Sequence, residues 1–174
     1  ALKATDVLLY WSHSHWRDVP DDIVDAMQER VLAGMGLVLL HSAHASKIFQ
    51  RLTGTHTNIL RWREAGELQR YFIVAPWHPI ARGLPAEYFE VSHDETYGEP
   101  FQIPQPDEQV FISWCEGGEV FRSGCCFYRG AGRIFYFQAG HETFPVYYQE
   151  EVKRVIANAC AWAYNAEVPA LPTR

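Results

Sequence analysis

His13 and His15, His41 and His44, and His141 each follow a run of apolar residues, so five of the chain's eight histidines sit where strands end. Imidazole is the side chain that exchanges protons near neutral pH and the commonest metal ligand. His13-Ser14-His15 has i, i+2 spacing, which faces one side if extended. His41-Ser42-Ala43-His44 is i, i+3, which faces one side if helical. Either pair can offer two nitrogens to one ion. Neither spacing is diagnostic, and the plainer reading of any one loop-end histidine is a solvated or capping side chain. Glu95, in His93-Asp94-Glu95-Thr96-Tyr97, is a candidate general base or metal ligand, set against a solvated loop carboxylate.

Two nucleophile readings are weaker. Ser42 follows the second apolar run at a strand-to-helix turn, yet no G-x-S-x-G or G-x-C-x-G surrounds it, and a turn or capping serine is the simpler reading. Cys115 reads as a small side chain at a strand end. The adjacent Cys125 and Cys126 point to opposite faces of a strand, which is poor geometry for a disulfide. Without CxxC spacing the four cysteines make no zinc framework and read as free thiols of a reducing cytoplasm.

These residues need a scaffold. Asp6–Trp11 is a continuous apolar run, read as a strand buried on both faces. Pro20, Asp21 and Asp22 signal a helix start, and Ile23, Met27 and Val31 repeat with helical period. Gly36–His41 is a second buried strand, so the first 40 or so residues make one βαβ unit with a parallel sheet. A short helix is expected over Ser46–Leu52. Strands are expected at Ile59–Arg63 and Tyr71–Val74, as a hairpin around Ala65-Gly66, with a short one at Tyr88–Val91. Pro100–Asp107 reads as a loop. Val110–Trp114, Val120–Tyr128 and Arg133–Phe137 read as strands, and Val146–Tyr164 as a helix before Pro169 and Pro172. In an open α/β sheet, ligands bind beyond the carboxyl ends of the strands, which is where the five histidines fall.

The 174 residues read as a single domain, and 48% hydrophobic content supplies a core. A net charge of −6 argues against nucleic-acid binding, and no apolar run approaches the ~18 residues of a membrane span. The 14% aromatic content suits either an aromatic core or a sugar-stacking cleft.

Three stretches together resemble the ThuA (trehalose utilisation) family: Gly34–His44 continuing through Ser46–Phe49; Val110–Trp114 with Glu116–Gly124; and Phe135–Pro145 with Val155–Ala159. Glu95–Gly98 also fits, and the likeness runs from about Asp6 to Tyr164. It implies an α/β, flavodoxin-like fold of the class I glutamine amidotransferase type, an open, mostly parallel sheet flanked by helices, without the amidotransferase cysteine. It also implies sugar catabolism, acting on a disaccharide or keto-sugar beside a sugar oxidoreductase. Family members carry a further strand and helix before the match, so the chain reads as N-terminally incomplete, with an open sheet edge and a tendency to homo-oligomerise. The family often has histidine where Trp16 stands, which separates His15 from the better-matched His13, His41, His44 and His141.

The resulting expectation is a cytoplasmic enzyme for a small-molecule sugar, with no nucleic-acid or membrane partner and no nucleotide cofactor. Glu95, His141 and His44 are the expected acid–base groups. His13, His41, His44 and His141 are the candidate ligands of a divalent metal, zinc first. Trp11, Trp16 and Tyr97 offer stacking faces, and Glu142 a carboxylate for substrate. The rival is a non-catalytic carbohydrate-binding or assembly module on the same fold.

Overall fold

The computed structural model describes residues 2–164. Strands β1 (Val7–Trp11) and β2 (Gly36–Leu40) flank helix α1 (Asp21–Leu32), giving the expected parallel βαβ unit. A 3-10 turn at His41–Ala45 leads into α2 (Lys47–Thr53), whose N-cap Ser46 accepts the Phe49 N–H. Five strands follow: β3 (Ile59–Ile73), β4 (Tyr88–Phe101), β5 (Glu108–Cys115), β6 (Val120–Arg129) and β7 (Gly132–Phe137). Helix α3 (Glu150–Ala163) comes after a separate 3-10 turn at Val146–Tyr148, so the single helix expected from Val146 is split. Pro169 and Pro172 lie outside the described residues.

All seven strands form one sheet in the order β1-β2-β7-β6-β5-β3-β4. The parallel part is confined to β1-β2-β7, and every pairing beyond β7 is antiparallel. Alternation in β2 sorts the core into two layers. Leu37 and Leu39 pack with Met27, Val31 and Phe49 toward α1 and α2, while Val38 and Leu40 pack with Val152, Val155 and Trp162 toward α3. Cys125 and Cys126 go to opposite layers, as their adjacency demands. Both thiols are free, and burial pushes the Cys125 thiol up to about 12.

Three further expectations are corrected. Strand β1 is at the sheet edge, with Leu9 and Trp11 46% and 42% exposed, and is not covered on both faces. An apolar run cannot by itself distinguish an edge from an interior strand. The hairpin expected at Ala65-Gly66 is instead an irregularity inside one 15-residue strand. Gly66 has φ +65, which lets β3 bend without reversing. Its first half continues beside β4 as an arm: Trp62 pairs with Tyr97 and Arg63 with Thr96. Arg63 braces the arm through ion pairs to Glu67 and Glu119, and Thr96 Oγ1 donates to Glu67 at 2.6 Å. β4 is correspondingly longer than the short strand read at Tyr88–Val91 and takes in Pro100.

Candidate active site

Parallel register places the site. Trp11 aligns with Leu40 and Leu40 with Phe137, so β1, β2 and β7 end level with one another. The loops leaving these ends carry His13, His41 and His141. Their ring centroids are 4.7 Å apart for His13–His141, 5.3 Å for His41–His141 and 6.2 Å for His13–His41. One nitrogen from each lies within 4.8 Å of the others.

His41 is fully buried and has φ +55, a conformation most side chains avoid, at the first residue beyond a strand. Its Nδ1 lies 3.1 Å from the Gln138 carbonyl and therefore carries a proton. Nε2 then faces Glu95 Oε2 at 3.0 Å, a contact that needs a second proton or another cation between the two atoms. Burial alone would raise the Glu95 carboxyl, but the His41 contact outweighs it and holds the pKa below the usual range. Tyr97 stacks on His41 at 5.3 Å and hydrogen-bonds Ser42 Oγ at 2.8 Å. That bond gives Ser42 a structural partner at the turn.

His13 and His141 differ in the proton they present. His13 Nδ1 is 2.7 Å from Glu142 Oε2, close but poorly aligned, so the ring proton belongs there and Nε2 keeps its lone pair. His141 Nδ1 accepts the Thr143 N–H at 3.2 Å, so the neutral ring carries its proton on Nε2, which has no hydrogen-bond partner. The His141 loop is pinned from below. Asp94 accepts the N–H groups of Glu95, Gly140 and His141 at 2.9, 3.0 and 3.1 Å, and desolvation raises its carboxyl. Gly140 has φ +129, and a Cβ there would lie 1.9 Å from the Tyr147 hydroxyl. Gln138 donates to Gln69 Oε1, and Ser113 donates to Gln138, forming a polar floor beneath the histidines.

His13 and His141 open onto a cleft of about 470 Å³. His13, His44, Glu95, Tyr97 and His141 line it from the sheet side with Trp16 and Ser42. The β3 arm supplies the facing wall with Leu60, Trp62 and Glu64. Glu64 lies 3.9 Å from His141 Nε2 and accepts the Thr143 hydroxyl at 3.1 Å. No cysteine lines this cleft among the described residues, and burial raises the Cys115 thiol to about 12.

His44 shares the cleft but stands apart from the group of three. Its Nδ1 donates to the Thr57 carbonyl at 2.8 Å, and its ring packs edge-on against Tyr97, Phe101 and Tyr136. Burial lowers its pKa to about 4. Trp11 and Glu142 line a neighbouring recess rather than the cleft. His15 pairs with Asp18 at the surface. Sequence reasoning missed Trp62, Glu64 and Asp94. The first two have the i, i+2 spacing of one strand face but stood next to an apparent turn.

Residues 1–163 match the family model for trehalose utilisation, ThuA. The chain belongs to the ThuA family. Among solved structures, a ThuA-like protein from Parabacteroides merdae superposes with a TM-score of 0.72 at 16% identity, covering 94% of this chain and 71% of that one. A ThuA-like protein from Bacteroides uniformis gives 0.70 at 17%, covering 93% and 70%. A cytoplasmic protein from Salmonella typhimurium gives 0.64 at 12%, covering 93% and 73%. At these identities the likeness shows the shared ThuA fold. A search of curated proteins finds no match.

Proposed function

We propose that this ThuA-family chain is an enzyme that moves protons on a sugar or keto-sugar. One observation carries the reading: a buried carboxylate and imidazoles in complementary protonation states meet at one cleft of ligand size. Glu95, held ionised, accepts the proton from the carbon beside a substrate carbonyl. The electron pair of the broken C–H bond forms the enol double bond, and the carbonyl oxygen takes the proton on His141 Nε2. His41 positions Glu95 and shares charge with it. His13, oriented by Glu142, presents a lone pair for a substrate hydroxyl. His44, neutral to about pH 4, adds a hydrogen-bonding wall, and Trp16, Trp62 and Tyr97 offer flat faces for a sugar ring.

The three-histidine group favours a second reading, in which a divalent ion, zinc first, is bound there. His13 and His41 each turn Nδ1 toward an oxygen, the usual outer-shell arrangement of ligating imidazoles, and His41 Nε2 would ligate in place of its present 3.0 Å contact with Glu95 Oε2. His141 fits once it releases the Thr143 N–H. Such an ion would polarise the carbonyl. A keto-sugar substrate implies a sugar-oxidising enzyme upstream. No described helix is long and apolar enough to cross a membrane, and a cytoplasmic setting suits these reactions.

The deciding experiment screens oxidised and unoxidised disaccharides for turnover and binding, with the metal content of untagged protein measured in parallel. Glu95→Gln should abolish turnover and spare binding. Binding without turnover by the native chain would leave the carbohydrate-binding module. Stoichiometric metal lost in the His13→Ala, His141→Ala double variant would establish the second reading.

A further inference from the structure

We infer that Glu64 is a specificity-determining residue of the histidine cleft: together with His141 it grips the hydroxyl that neighbours the substrate's carbonyl. This rests on the proposal that the carbonyl oxygen meets His141 Nε2. Thr143 orients both partners. Its N–H donates to His141 Nδ1 at 3.2 Å, and its hydroxyl donates to Glu64 Oε1 at 3.1 Å. The remaining atoms, His141 Nε2 and Glu64 Oε2, face each other at 3.9 Å, beyond the reach of about 3.2 Å of a direct N–H···O bond. His141 is 2% exposed, and its Nε2 has no hydrogen-bond partner in the fold. Both residues line the cleft. An oxygen held about 2.8 Å from each atom satisfies the two at once.

The clamp selects by kind of oxygen. The Nε2–H needs an acceptor, and the carboxylate oxygen needs a donor. A hydroxyl is both. A carbonyl or ether oxygen offers lone pairs alone and sets them against the carboxylate. The cleft gives Glu64 Oε2 no cation in compensation: among the described residues no lysine or arginine lines it. Arg63, next in the chain, is bound to Glu67 and Glu119 instead, which also holds the arm that carries Glu64. Oxygens on adjacent carbons can share one N–H in a three-centre bond. A carbonyl oxygen on His141 Nε2 therefore brings its neighbouring hydroxyl to Glu64 Oε2. The ligand is a ketone with a free hydroxyl on the next carbon, and a ketone without that hydroxyl leaves the carboxylate unpaired.

The test follows deuterium uptake from D2O, by NMR, at the carbon beside the carbonyl. The substrates are trehalose oxidised to a ketone on one ring and the two deoxy analogues that each lack one hydroxyl flanking that carbonyl. The native chain should favour the parent ketone over one of the analogues by about a hundredfold in kcat/KM. Glu64 is 46% exposed, so its variants keep the fold. Glu64→Ala should slow the parent ketone until these two rates lie within about threefold of each other. Glu64→Gln, which keeps an acceptor for the Thr143 hydroxyl, should fall between. If both variants slow all three ketones by one common factor, Glu64 only holds the His141 loop, and the clamp is overturned while the proton-moving reading stands. The same follows if the native chain takes both analogues as readily as the parent. If the native chain exchanges none of the ketones, the proton-moving reading falls and the clamp with it.

Discussion

His41 and His78 are both buried at loop ends, 0% and 3% exposed, and each has a glutamate oxygen near Nε2: Glu95 at 3.0 Å and Glu108 at 3.6 Å. Their second nitrogens separate them. His78 Nδ1 accepts the Ile80 N–H and caps the 3-10 turn Pro79–Ala81, with an ordinary extended backbone. Its ring rests on Trp162, its Nε2 faces the Cys126 thiol at 3.9 Å, and burial lowers its pKa. Burial and the accepted Ile80 N–H favour a neutral ring, and burial outweighs the Glu108 carboxylate, which favours a charged one. His41 instead spends a strained φ to aim Nε2 at a carboxylate that lines a cavity. Burial beside an acid marks neither a site nor a scaffold. The strained backbone and the open cavity that Glu95 lines make the difference.

The comparison breaks if both histidines respond alike to removal. His41→Asn keeps a residue that tolerates positive φ and removes the imidazole. We expect kcat/KM on the keto-sugar to fall by about a thousandfold or more, with Glu95→Gln similar and His78→Asn unchanged. Equal losses at positions 41 and 78, measured by steady-state kinetics, would show that both act through stability.

His44 is a third test of what burial does. The folded chain holds its pKa at about 4, against 6.5 when unfolded. As pH falls below 6.5, the unfolded chain takes up a proton that the folded chain refuses. Stability therefore drops through that window, and the loss levels off below about pH 4. Linkage puts the loss at up to about 3 kcal/mol. Urea melts of the native chain and His44→Gln between pH 7 and 4 should converge toward the acid end. Parallel curves would mean that His44 titrates like a solvated ring.

Asp94 carries three backbone N–H groups, that of Glu95 on β4 and those of Gly140 and His141 on the loop after β7. Asparagine keeps one accepting oxygen and places an amide where the second accepted. Asp94→Asn should cost about 2 kcal/mol in denaturant melts and lower turnover by loosening the His141 loop. Turnover loss without destabilisation would give Asp94 a direct part in the chemistry.

The parallel core was legible because β2 and the Ile134–Phe137 part of β7 are apolar runs followed by turn residues, and their histidines fell on one edge by the strand-end rule. The β3 arm was not legible. Ala65-Gly66 has the composition of a turn, and only pairing with β4 shows that the chain bends there and continues. Trp62 and Glu64 were lost with it. Placing His44 with the metal candidates followed from its i, i+3 spacing to His41. The observed 3-10 turn brings His44 to the cleft while His41 stays buried behind it, and the Thr57 carbonyl turns the His44 ring to another partner. No local pattern encodes a contact to residue 57.

The smallest effect belongs to His78 and sharpens the contrast most. Asn is a good capping residue, so His78→Asn should retain the Ile80 N–H bond and lose only ring packing against Trp162. His78→Ala removes both, and leaves the Ile80 N–H unpaired in the core. We expect about 1 kcal/mol for the first and about 2 kcal/mol for the second, read from urea midpoints at pH 7. Both variants should keep native kcat and KM where they remain folded, because His78 touches no residue of the cleft. If His78→Asn retained its midpoint but lost tenfold in turnover, the Glu108–His78–Cys126 cluster would have to be counted as part of a site. The distinction drawn from the strained backbone and the open cavity would then fail.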